Sequence, residues 1–333
     1  MKAVVTGATG FLGNNLVKLL LADGHQVSCP IRADSDCSVL ADSGVVWWPD
    51  AYSSGEAFSD CLANADVVFH CAAQVGSTNK VTPNMREANV ELTREIIDIH
   101  RQHPSTRLVY CSTVATCAVS EDGNDVTEEI PWNLDKFGMN SGYTITKRIA
   151  EQCVLDSVAD GVDAVVVNPC YMFGPGDNKL SSCRMILDVC KGAIPAYPAG
   201  VNNFVDVRDV ARGMILAAEK GRTGNRYILG GDNLRYKEVF DKITGVANAK
   251  PVARPLPLYV GKILGLFGDA KEFLTGKNSL LNSSGIAWSF ADCRYSSAKA
   301  EDELGYIHGS VDDAILAAYD WFVSQGYISV QDR

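Results

Sequence analysis

Residues Met1 to Gly13 read Met-Lys-Ala-Val-Val-Thr-Gly-Ala-Thr-Gly-Phe-Leu-Gly, and this stretch decides the fold. The apolar run 3–5 is typical of a buried parallel strand. Gly7, Gly10 and Gly13 follow at intervals of three, and apolar residues then recur with helical spacing. A strand, a glycine turn and a helix in this order form the setting that a dinucleotide fingerprint requires.

Each glycine of this turn has an expected task. Gly7 makes the tight turn, Gly10 lets the backbone approach a pyrophosphate, and Gly13 lets the helix pack close to the strand. A glycine-rich turn that holds no ligand is the alternative, and the position between a strand and an amphipathic helix disfavours it. Residues of the same turn that we expect to line the site are Thr9, Phe11 and Leu12.

The composition is that of an ordinary globular enzyme. Apolar residues make up 47% of the 333 positions and charged residues 21%, and the length is typical of about two domains. The net charge of −10 argues against nucleic acid or an anionic membrane as the main partner. The first strand begins at residue 2 or 3 and no apolar run reaches transmembrane length. We therefore expect a cytoplasmic protein without an integral membrane segment.

The chain has eleven cysteines, and none of them lies in a Cys-x-x-Cys motif. Cys29, Cys71, Cys111 and Cys170 fall in or beside apolar, strand-like runs. We interpret them as buried, reduced thiols. No metal site is predicted, because His70 has no second ligand at metal spacing and is better interpreted as a hydrogen-bonded core histidine.

Strand-like and helical patterns alternate along the chain. Strands are predicted at 3–5, 26–31, 45–48, 66–71, 107–111, 163–167 and 227–231, and helices at 84–102, from 141 onward, at 255–273 and at 312–323. Residues 203–211 join a short strand to a helix, with Asp209 in a capping position. The alternation predicts an α/β fold with a doubly wound parallel sheet on residues 1–170. A smaller lobe follows on 171–333, from which about 202–219 return to the first domain.

The end of the second strand bears on the choice between NAD and NADP. A carboxylate there would bind the ribose 2′-hydroxyl of NAD. Ile31 occupies that place, and the Arg32 that follows can pair with a 2′-phosphate and stack on adenine. We therefore predict that NADP(H) is preferred and that NAD(H) is possible. A solvated surface arginine is the alternative interpretation.

Tyr143 and Lys147 are four residues apart and therefore share one face of the helix that begins near residue 141. A tyrosine beside a carbonyl oxygen can donate its proton, and a neighbouring ammonium lowers the pKa of the phenol from about 10. The same spacing recurs at Tyr295 and Lys299, beyond the predicted sheet. The first copy follows the fifth strand, where the site of such a fold lies, so we assign the chemistry to it.

Several stretches together resemble one group of enzymes. They are the Gly-x-x-Gly-x-x-Gly spacing after Thr6, Asp50, Ala72-Ala73, Thr113, Tyr143 with Lys147, Gly174-Pro-Gly-Asp177 and Phe204-Val-Asp-Val-Arg-Asp-Val-Ala211. With them the chain resembles the extended branch of the short-chain dehydrogenase/reductase superfamily, in its dihydroflavonol-4-reductase-like and 3β-hydroxysteroid-dehydrogenase-like group. Asn89 and Thr93 match only in part, because Leu92 replaces the family's glycine. The resemblance implies a Rossmann-type NADP-binding domain and a smaller carboxyl-terminal substrate lobe.

The resemblance also implies roles for individual residues. Tyr143 is the proton donor, Lys147 holds the nicotinamide ribose, and Thr113 polarises the substrate oxygen, with Ser112 as its substitute. Asp50 binds the adenine amino group. Further cofactor contacts that it implies are Ala51, Ala72, Ala73, Gln74, Pro169 and Met172. Substrate contacts that it implies are Ser77, Thr113, Val114, Met172, Phe173 and Phe204.

The predicted function is hydride transfer between a nicotinamide cofactor and a small ketone or secondary alcohol. The apolar stretch 255–273 favours an uncharged or lipid-like substrate, although it could equally be the core of a lid helix. A sugar-nucleotide epimerase or dehydratase with bound NAD is the alternative, for which Arg184 and Arg208 could bind the diphosphate. A non-catalytic NADP(H)-binding redox sensor is a second alternative, which the complete threonine, tyrosine and lysine set disfavours.

The resemblance implies a homodimer as well. In the superfamily, helices that correspond to 84–102 and 141–159 often pair with their symmetry mates as a four-helix bundle. We therefore expect these two stretches to form the contact between two copies of the chain.

Overall fold

The computed structural model describes residues 1–41, 43–49, 51–276, 279 and 281–329. The strands of this part of the chain are β1 (Lys2–Thr6), β2 (Gln26–Ile31), β3 (Val46–Pro49), β4 (Val67–His70), β5 (Arg107–Cys111), β6 (Ala164–Pro169), β7 (Tyr171–Phe173), β8 (Val201–Asp206), β9 (Arg226–Leu229), β10 (Asp232–Arg235) and β11 (Asp292–Cys293). Its α-helices are α1 (Phe11–Ala22), α2 (Gly55–Leu62), α3 (Pro83–Arg86), α4 (Leu92–His100), α5 (Gly142–Ser157), α6 (Arg184–Cys190), α7 (Val207–Lys220), α8 (Tyr236–Ala247), α9 (Leu258–Thr275), α10 (Ser283–Phe290), α11 (Ala298–Leu304) and α12 (Val311–Ser324).

A parallel sheet forms the core of the described residues. Its seven strands lie in the order β3-β2-β1-β4-β5-β6-β9, and all neighbours are parallel. β4 and β6 are buried along their whole length, because helices cover both faces of the sheet. The strand order reverses between β1 and β4, where ligands bind in sheets of this kind. The predicted α/β doubly wound fold is confirmed.

A smaller sheet is built around β8, which pairs with β7 and β11 in parallel and with β10 in antiparallel orientation. The chain returns to the main sheet with β9 and not with β8, while α7 packs beside α1. Asp206 caps α7, because its side chain accepts a hydrogen bond from the Arg208 N–H at 2.8 Å. The predicted cap at Asp209 is therefore wrong, and its carboxylate instead accepts a hydrogen bond from the Gly309 N–H.

The helix predicted over 84–102 contains an irregular turn. It begins at α3, one residue earlier than expected, where the Thr82 hydroxyl caps it. A π turn over 87–91 then joins α3 to α4. The Thr93 hydroxyl donates to the Asn89 carbonyl at 2.7 Å, so this carbonyl has a hydrogen-bond partner within the widened turn. Turns of this type are frequent at functional sites.

α9 is apolar, yet its large side chains lie outside the core. Its buried residues are Gly261, Gly265 and Gly268, which face α10 so closely that a Cβ on any of them would crowd it or the segment before it. Its leucine, isoleucine and phenylalanine side chains are exposed. The interpretation of this stretch as core is therefore wrong, because glycines make the contact. No helix among the described residues has both the length and the apolarity needed to cross a bilayer.

A buried ion pair ties α5 to β9. Glu151 Oε1 lies 3.1 Å from Arg226 Nε, and the two side chains are 7% and 20% exposed. Glu151 Oε2 accepts hydrogen bonds from Thr116 Oγ1 at 2.7 Å and from Asn168 Nδ2 at 2.8 Å. The Arg226 guanidinium donates to the backbone carbonyls of Thr116 and Glu128. Removing one member of this pair would leave an uncompensated buried charge.

We predict that Glu151→Ala lowers the free energy of unfolding by about 3–5 kcal/mol, because Arg226 loses its partner inside the protein. Urea unfolding followed by circular dichroism measures the change. Lys237→Ala is the matched control, since it removes the exposed pair with Asp241 and should cost less than about 1 kcal/mol. Equal losses for the two variants would contradict the prediction.

Candidate active site

The turn after β1 has a geometry that depends on its glycines. Gly7 has a φ of +69°, and the Gly10 N–H donates to the Gly7 carbonyl at 2.9 Å. A Cβ on Gly7 would lie 2.7 Å from the Ala72 nitrogen, and one on Gly13 would collide with the Gly7 carbonyl. Gly10 is the N-cap residue of α1 and has no side chain to cap the helix. The first N–H groups of α1 are therefore suited to an anionic ligand.

The loop that leaves β4 lies against this turn. The Ala72 N–H donates to Thr6 Oγ1 at 3.2 Å, and Ala73 and Gln74 are exposed. Asn89 holds the loop at two points. Its Oδ1 accepts from the Gln74 N–H at 2.7 Å, and its Nδ2 donates to the Gln74 carbonyl at 3.1 Å. The structure thus places Ala72 against the glycine turn, and Ala73 and Gln74 follow it in the same loop.

His70 belongs to a chain of hydrogen bonds inside the protein. Its Nδ1 lies 2.8 Å from Thr6 Oγ1, and its Nε2 lies 3.0 Å from Thr93 Oγ1. Because Thr93 donates to the Asn89 carbonyl, its oxygen accepts from His70, which assigns the Nε2–H tautomer. Burial, with a smaller contribution from the Lys147 charge, lowers the pKa of His70 to about 3. The interpretation of His70 as a hydrogen-bonded core histidine is confirmed.

A cavity of about 780 Å³ opens at the carboxyl end of β2. Arg32 is exposed and lines it, and Lys18 and Lys179 add two further cations. Two aspartates share the cavity, and one of them, Asp36, accepts a hydrogen bond from the backbone N–H two residues further on. Thr9 of the glycine turn also lines this space. The turn and Arg32 therefore face one cavity whose described walls carry three cations.

Several other predicted cofactor contacts are not among the residues that line this cavity. Phe11 and Leu12 begin α1, and their side chains are buried. Ala51 is buried in a single 3₁₀ turn after β3, and Pro169 is buried at the end of β6. Asp50 lies outside the described residues. A ligand here would reach the backbone of the buried residues more readily than their side chains.

The carboxyl end of β5 presents one hydroxyl to Tyr143. The side chain of the half-buried Thr113 lies close enough to the Tyr143 hydroxyl to influence its pKa. Asn168 Nδ2 supports the same residue by donating to the Thr113 carbonyl at 3.1 Å. Ser112 is buried, and its hydroxyl lies 3.4 Å from Thr116 Oγ1. The geometry thus places Thr113, and not the substitute Ser112, beside the tyrosine.

Tyr143 lies in the first turn of α5, where Ser141 is the N-cap. Burial raises the pKa of the half-buried Tyr143 hydroxyl above its ordinary value, Cys111 adds to this effect, and the Thr113 side chain opposes it. The direction is the opposite of the one expected from the nearby Lys147. Removing the phenolate from water outweighs the effect of neighbouring charge. The phenol is therefore held protonated at neutral pH.

Lys147 is buried in the middle of the site, with only 2% of its surface exposed. Its Nζ donates to the Cys111 carbonyl at 2.7 Å and lies 4.3 Å from the centre of the Tyr110 ring. Burial lowers the pKa of Lys147 to about 8, although Cys111, Glu151 and Cys71 act in the opposite direction. An ammonium has three N–H donors, so a ligand rich in hydroxyl groups is a suitable further partner.

The second Tyr-x-x-x-Lys copy lies elsewhere. Tyr295 is 2% exposed and pairs with Val126 in an isolated β-bridge. Lys299 Nζ lies 3.9 Å from Glu129 and near the ring of Tyr227. This tyrosine is packed inside the protein, where its backbone is hydrogen-bonded to Asn233 of β10.

The residues predicted to contact substrate fall into two groups. Ser77 and Met172 are half-buried, and Val114 is buried beside Thr113. Phe173 and Phe204 are fully buried and stack with their ring centres 5.3 Å apart. Their role as substrate contacts stays a prediction, and neither side chain has accessible surface among the described residues. They join β7 to β8.

Sequence reasoning missed a pair of thiols at the strand ends. β4 and β5 pair His70 with Tyr110, so the next residues, Cys71 and Cys111, lie side by side and share a hydrogen bond. This bond lowers the pKa of Cys111 and raises that of Cys71, and the Lys147 charge further stabilises the Cys111 thiolate. Each cysteine is the last residue of a predicted strand, but only the register of the strands brings the two together.

Comparison with known proteins agrees with this architecture. The model of the NAD dependent epimerase/dehydratase family matches residues 3–230. A "Putative dihydroflavonol 4-reductase" of Synechocystis is 30% identical over 332 residues, which cover 98% of this chain and 96% of that protein. "Sterol demethylase protein B" of Methylococcus capsulatus is 29% identical over 334 residues, or 98% and 100% of the two chains. The solved structure of gox2253 matches with a TM-score of 0.85 and 31% identity, and covers 98% of this chain and 99% of its own. The chain therefore belongs to the NAD-dependent epimerase/dehydratase family, within the extended short-chain dehydrogenases/reductases.

Proposed function

We propose that this chain is an NADP(H)-dependent ketoreductase, or a secondary-alcohol dehydrogenase in the reverse direction. The observation that carries the proposal is the arrangement of Tyr143, Thr113 and Lys147. A half-buried phenol lies close enough to a threonine side chain for that side chain to lower its pKa, one helical turn from a buried ammonium. A proton donor, a polarising hydroxyl and a cation in one cleft are what carbonyl reduction requires.

The residues present fit a nicotinamide dinucleotide. The uncapped first turn of α1 and the glycines before it would hold the pyrophosphate, since side chains at Gly7 or Gly13 would close the turn. Lys147 would hold the ribose hydroxyls of the nicotinamide half, and Arg32 would face the adenosine half. When bound, this cofactor exchanges a hydride with the carbonyl carbon of the substrate.

The chain's own residues complete the reduction. Tyr143 donates its proton to the carbonyl oxygen as that oxygen gains negative charge, so one hydride and one proton turn the ketone into a secondary alcohol. Burial, which raises the pKa of Tyr143, keeps this proton in place until the oxygen can accept it. The Thr113 hydroxyl donates a hydrogen bond to the same oxygen, and the Lys147 ammonium stabilises the phenolate that Tyr143 becomes.

An uncharged or lipid-like substrate is favoured over a sugar nucleotide. The candidate diphosphate ligands are Arg184 and Arg208, and each already has an acidic partner. Arg184 pairs with Asp188 of the same helix, and Arg208 pairs with Asp206 at the end of β8. The name of the Methylococcus relative refers to a sterol.

An epimerase or dehydratase that uses bound NAD is the second candidate, since the family name covers both activities. Turnover of ketones with NADPH, compared with turnover of UDP- and dTDP-sugars, distinguishes the two candidates.

We predict that Tyr143→Phe lowers kcat by about 10²–10⁴-fold, because only the proton donor is lost. The affinity for NADPH, measured by fluorescence titration, should change less than threefold. Tyr295→Phe is the matched control, since that hydroxyl is buried without a hydrogen-bond partner among the described residues. Full activity in Tyr143→Phe together with loss in Tyr295→Phe would show that Tyr295, and not Tyr143, is the proton donor.

The pKa of Lys147 leads to a second prediction. In the free protein, the Lys147 amino group is mostly protonated below about pH 8 and mostly neutral above it. If the charged form is the one that binds, affinity for NADPH should fall about tenfold between pH 7 and pH 9. Fluorescence titrations across this range measure the effect, and Lys147→Met should show weak binding with little pH dependence. A pH-independent affinity in the unmutated protein would contradict the assignment.

Arg32 allows a test of cofactor preference. A guanidinium–phosphate hydrogen bond contributes about 1.5–3 kcal/mol, which predicts a preference of about ten- to a hundredfold for NADPH over NADH in kcat/KM. Arg32→Ala should remove most of this preference and change the use of NADH little. Arg212→Ala, which removes an arginine paired with Asp23, is the control. Equal efficiency with NADH in the unmutated enzyme would favour the NAD-dependent epimerase instead.

A further inference from the structure

α9 carries an exposed apolar surface that neither the fold nor the proposed reaction explains. Six large side chains on it are between 50% and 79% exposed: Tyr259, Ile263, Leu266, Phe267, Phe273 and Leu274. We call these six residues the α9 apolar face. A helix on the surface of a globular protein normally turns its apolar stripe toward the core and its polar residues toward water. α9 has the reverse orientation.

The α9 apolar face is continuous around the helix. At about 100° per residue, its six side chains fall within an arc of about 120°. Gly261, Gly265 and Gly268 lie on the opposite side, where they pack against α10 and the segment that leads into it. The helix is therefore held to the protein through its glycines, and the whole apolar arc is left outside.

The charges of α9 are sorted in the same way. Lys262 and Lys271 are exposed and lie just beyond the two edges of the apolar arc. The acidic residues point inward. Asp269 accepts hydrogen bonds from Asn79 Nδ2 at 2.8 Å and from the Ser283 N–H at 2.9 Å. Glu272 Oε1 likewise accepts hydrogen bonds from the residues that lead into α10. The outer surface of α9 thus has an apolar centre and two cationic edges.

We propose that α9 lies in the surface of a lipid bilayer, parallel to the plane of the membrane, and docks the protein on it. An apolar arc flanked by lysines is the pattern of an interfacial helix, because lysines extend their charge to the headgroups while their stems stay in apolar surroundings. A second copy docked face to face would instead bring the same lysine edges together, which like charges disfavour. The charge pattern therefore favours a lipid surface over a copy of this chain.

The net charge of −10 does not oppose this orientation. It weakens general attraction to an anionic membrane, but the surface that meets the lipid is local, and its charge is that of Lys262 and Lys271. Lys80 adds a third cation, 5.4 Å from the centre of the Phe273 ring. Anchoring should therefore come mainly from the apolar arc and be strengthened by anionic headgroups.

Docking through α9 would also bring the candidate active site close to the lipid. Asn282 Nδ2 donates to the Ser77 carbonyl, and Asn79 donates to Asp269 and to Ser283, so residues 77–79 are tied to α9 and α10. This segment follows the loop that carries Gln74. The docking proposal does not rest on the proposed reaction, because vesicle binding is measured without turnover.

Vesicle sedimentation with the full chain tests the proposal. We expect the unmutated protein to bind vesicles of phosphatidylcholine, and to bind more tightly when about a third of the lipid is phosphatidylglycerol. Leu266→Ser/Phe267→Ser should lower the partition coefficient at least tenfold. Ile307→Ser/Leu316→Ser is the matched control, since it removes two exposed apolar side chains outside α9 and should change binding less than twofold.

The lysines give an independent arm of the test. Lys262→Gln/Lys271→Gln should weaken binding to the anionic vesicles about 25-fold, or about fivefold per lysine, and leave binding to pure phosphatidylcholine within twofold. Circular dichroism and thermal unfolding would show that all variants fold, since every substituted side chain is exposed. No binding by the unmutated protein, or equal binding by the α9 variants, would overturn the proposal. So would sedimentation velocity without lipid, if it showed an oligomer that Leu266→Ser/Phe267→Ser dissociates.

Discussion

The carboxyl edge of the sheet depends on a chain of buried hydrogen bonds that begins at the Ala72 N–H. It passes through two threonine hydroxyls and the ring of His70, and it ends at the Asn89 carbonyl. Each donor in it meets an acceptor, as a low-dielectric interior requires, because an unpaired polar group there is strongly unfavourable. The Asn89 side chain extends the network to Gln74 and to Thr146 on α5. These hydrogen bonds thereby hold β1, β4, the π turn and α5 in one arrangement.

Burial moves the two main site residues toward their uncharged forms. It raises the pKa of Tyr143 and lowers that of Lys147 to about 8, since an apolar surrounding disfavours both the phenolate and the ammonium. Each residue has a polar anchor that does not depend on its charge, which is Thr113 for the tyrosine and the Cys111 carbonyl for the lysine. The site is therefore positioned by packing and hydrogen bonds, and its charge state is free to respond to a ligand.

Glycines serve two separate parts of the molecule by the same physical means. In the turn after β1, Gly7 and Gly13 let backbone segments approach more closely than any side chain would permit. In α9, Gly261, Gly265 and Gly268 do the same for a helix and the segments beside it. The consequences differ. The first set leaves a row of backbone N–H groups open to an anion, whereas the second leaves an apolar helix surface facing outward.

The sequence by itself determined the fold class and the helix on which the candidate tyrosine and lysine lie. A strand, a glycine turn and a helix within Met1 to Ala22 predict the doubly wound sheet, and a spacing of four residues predicts that Tyr143 and Lys147 share a helix face. These features depend on neighbours along the chain, which local periodicity and backbone conformation govern. Only the tertiary structure decided the direction of the tyrosine's pKa shift, the burial of Phe173 and Phe204, and the outward face of α9. Each of these depends on contacts between residues far apart in the chain, and such contacts leave no pattern in the local sequence.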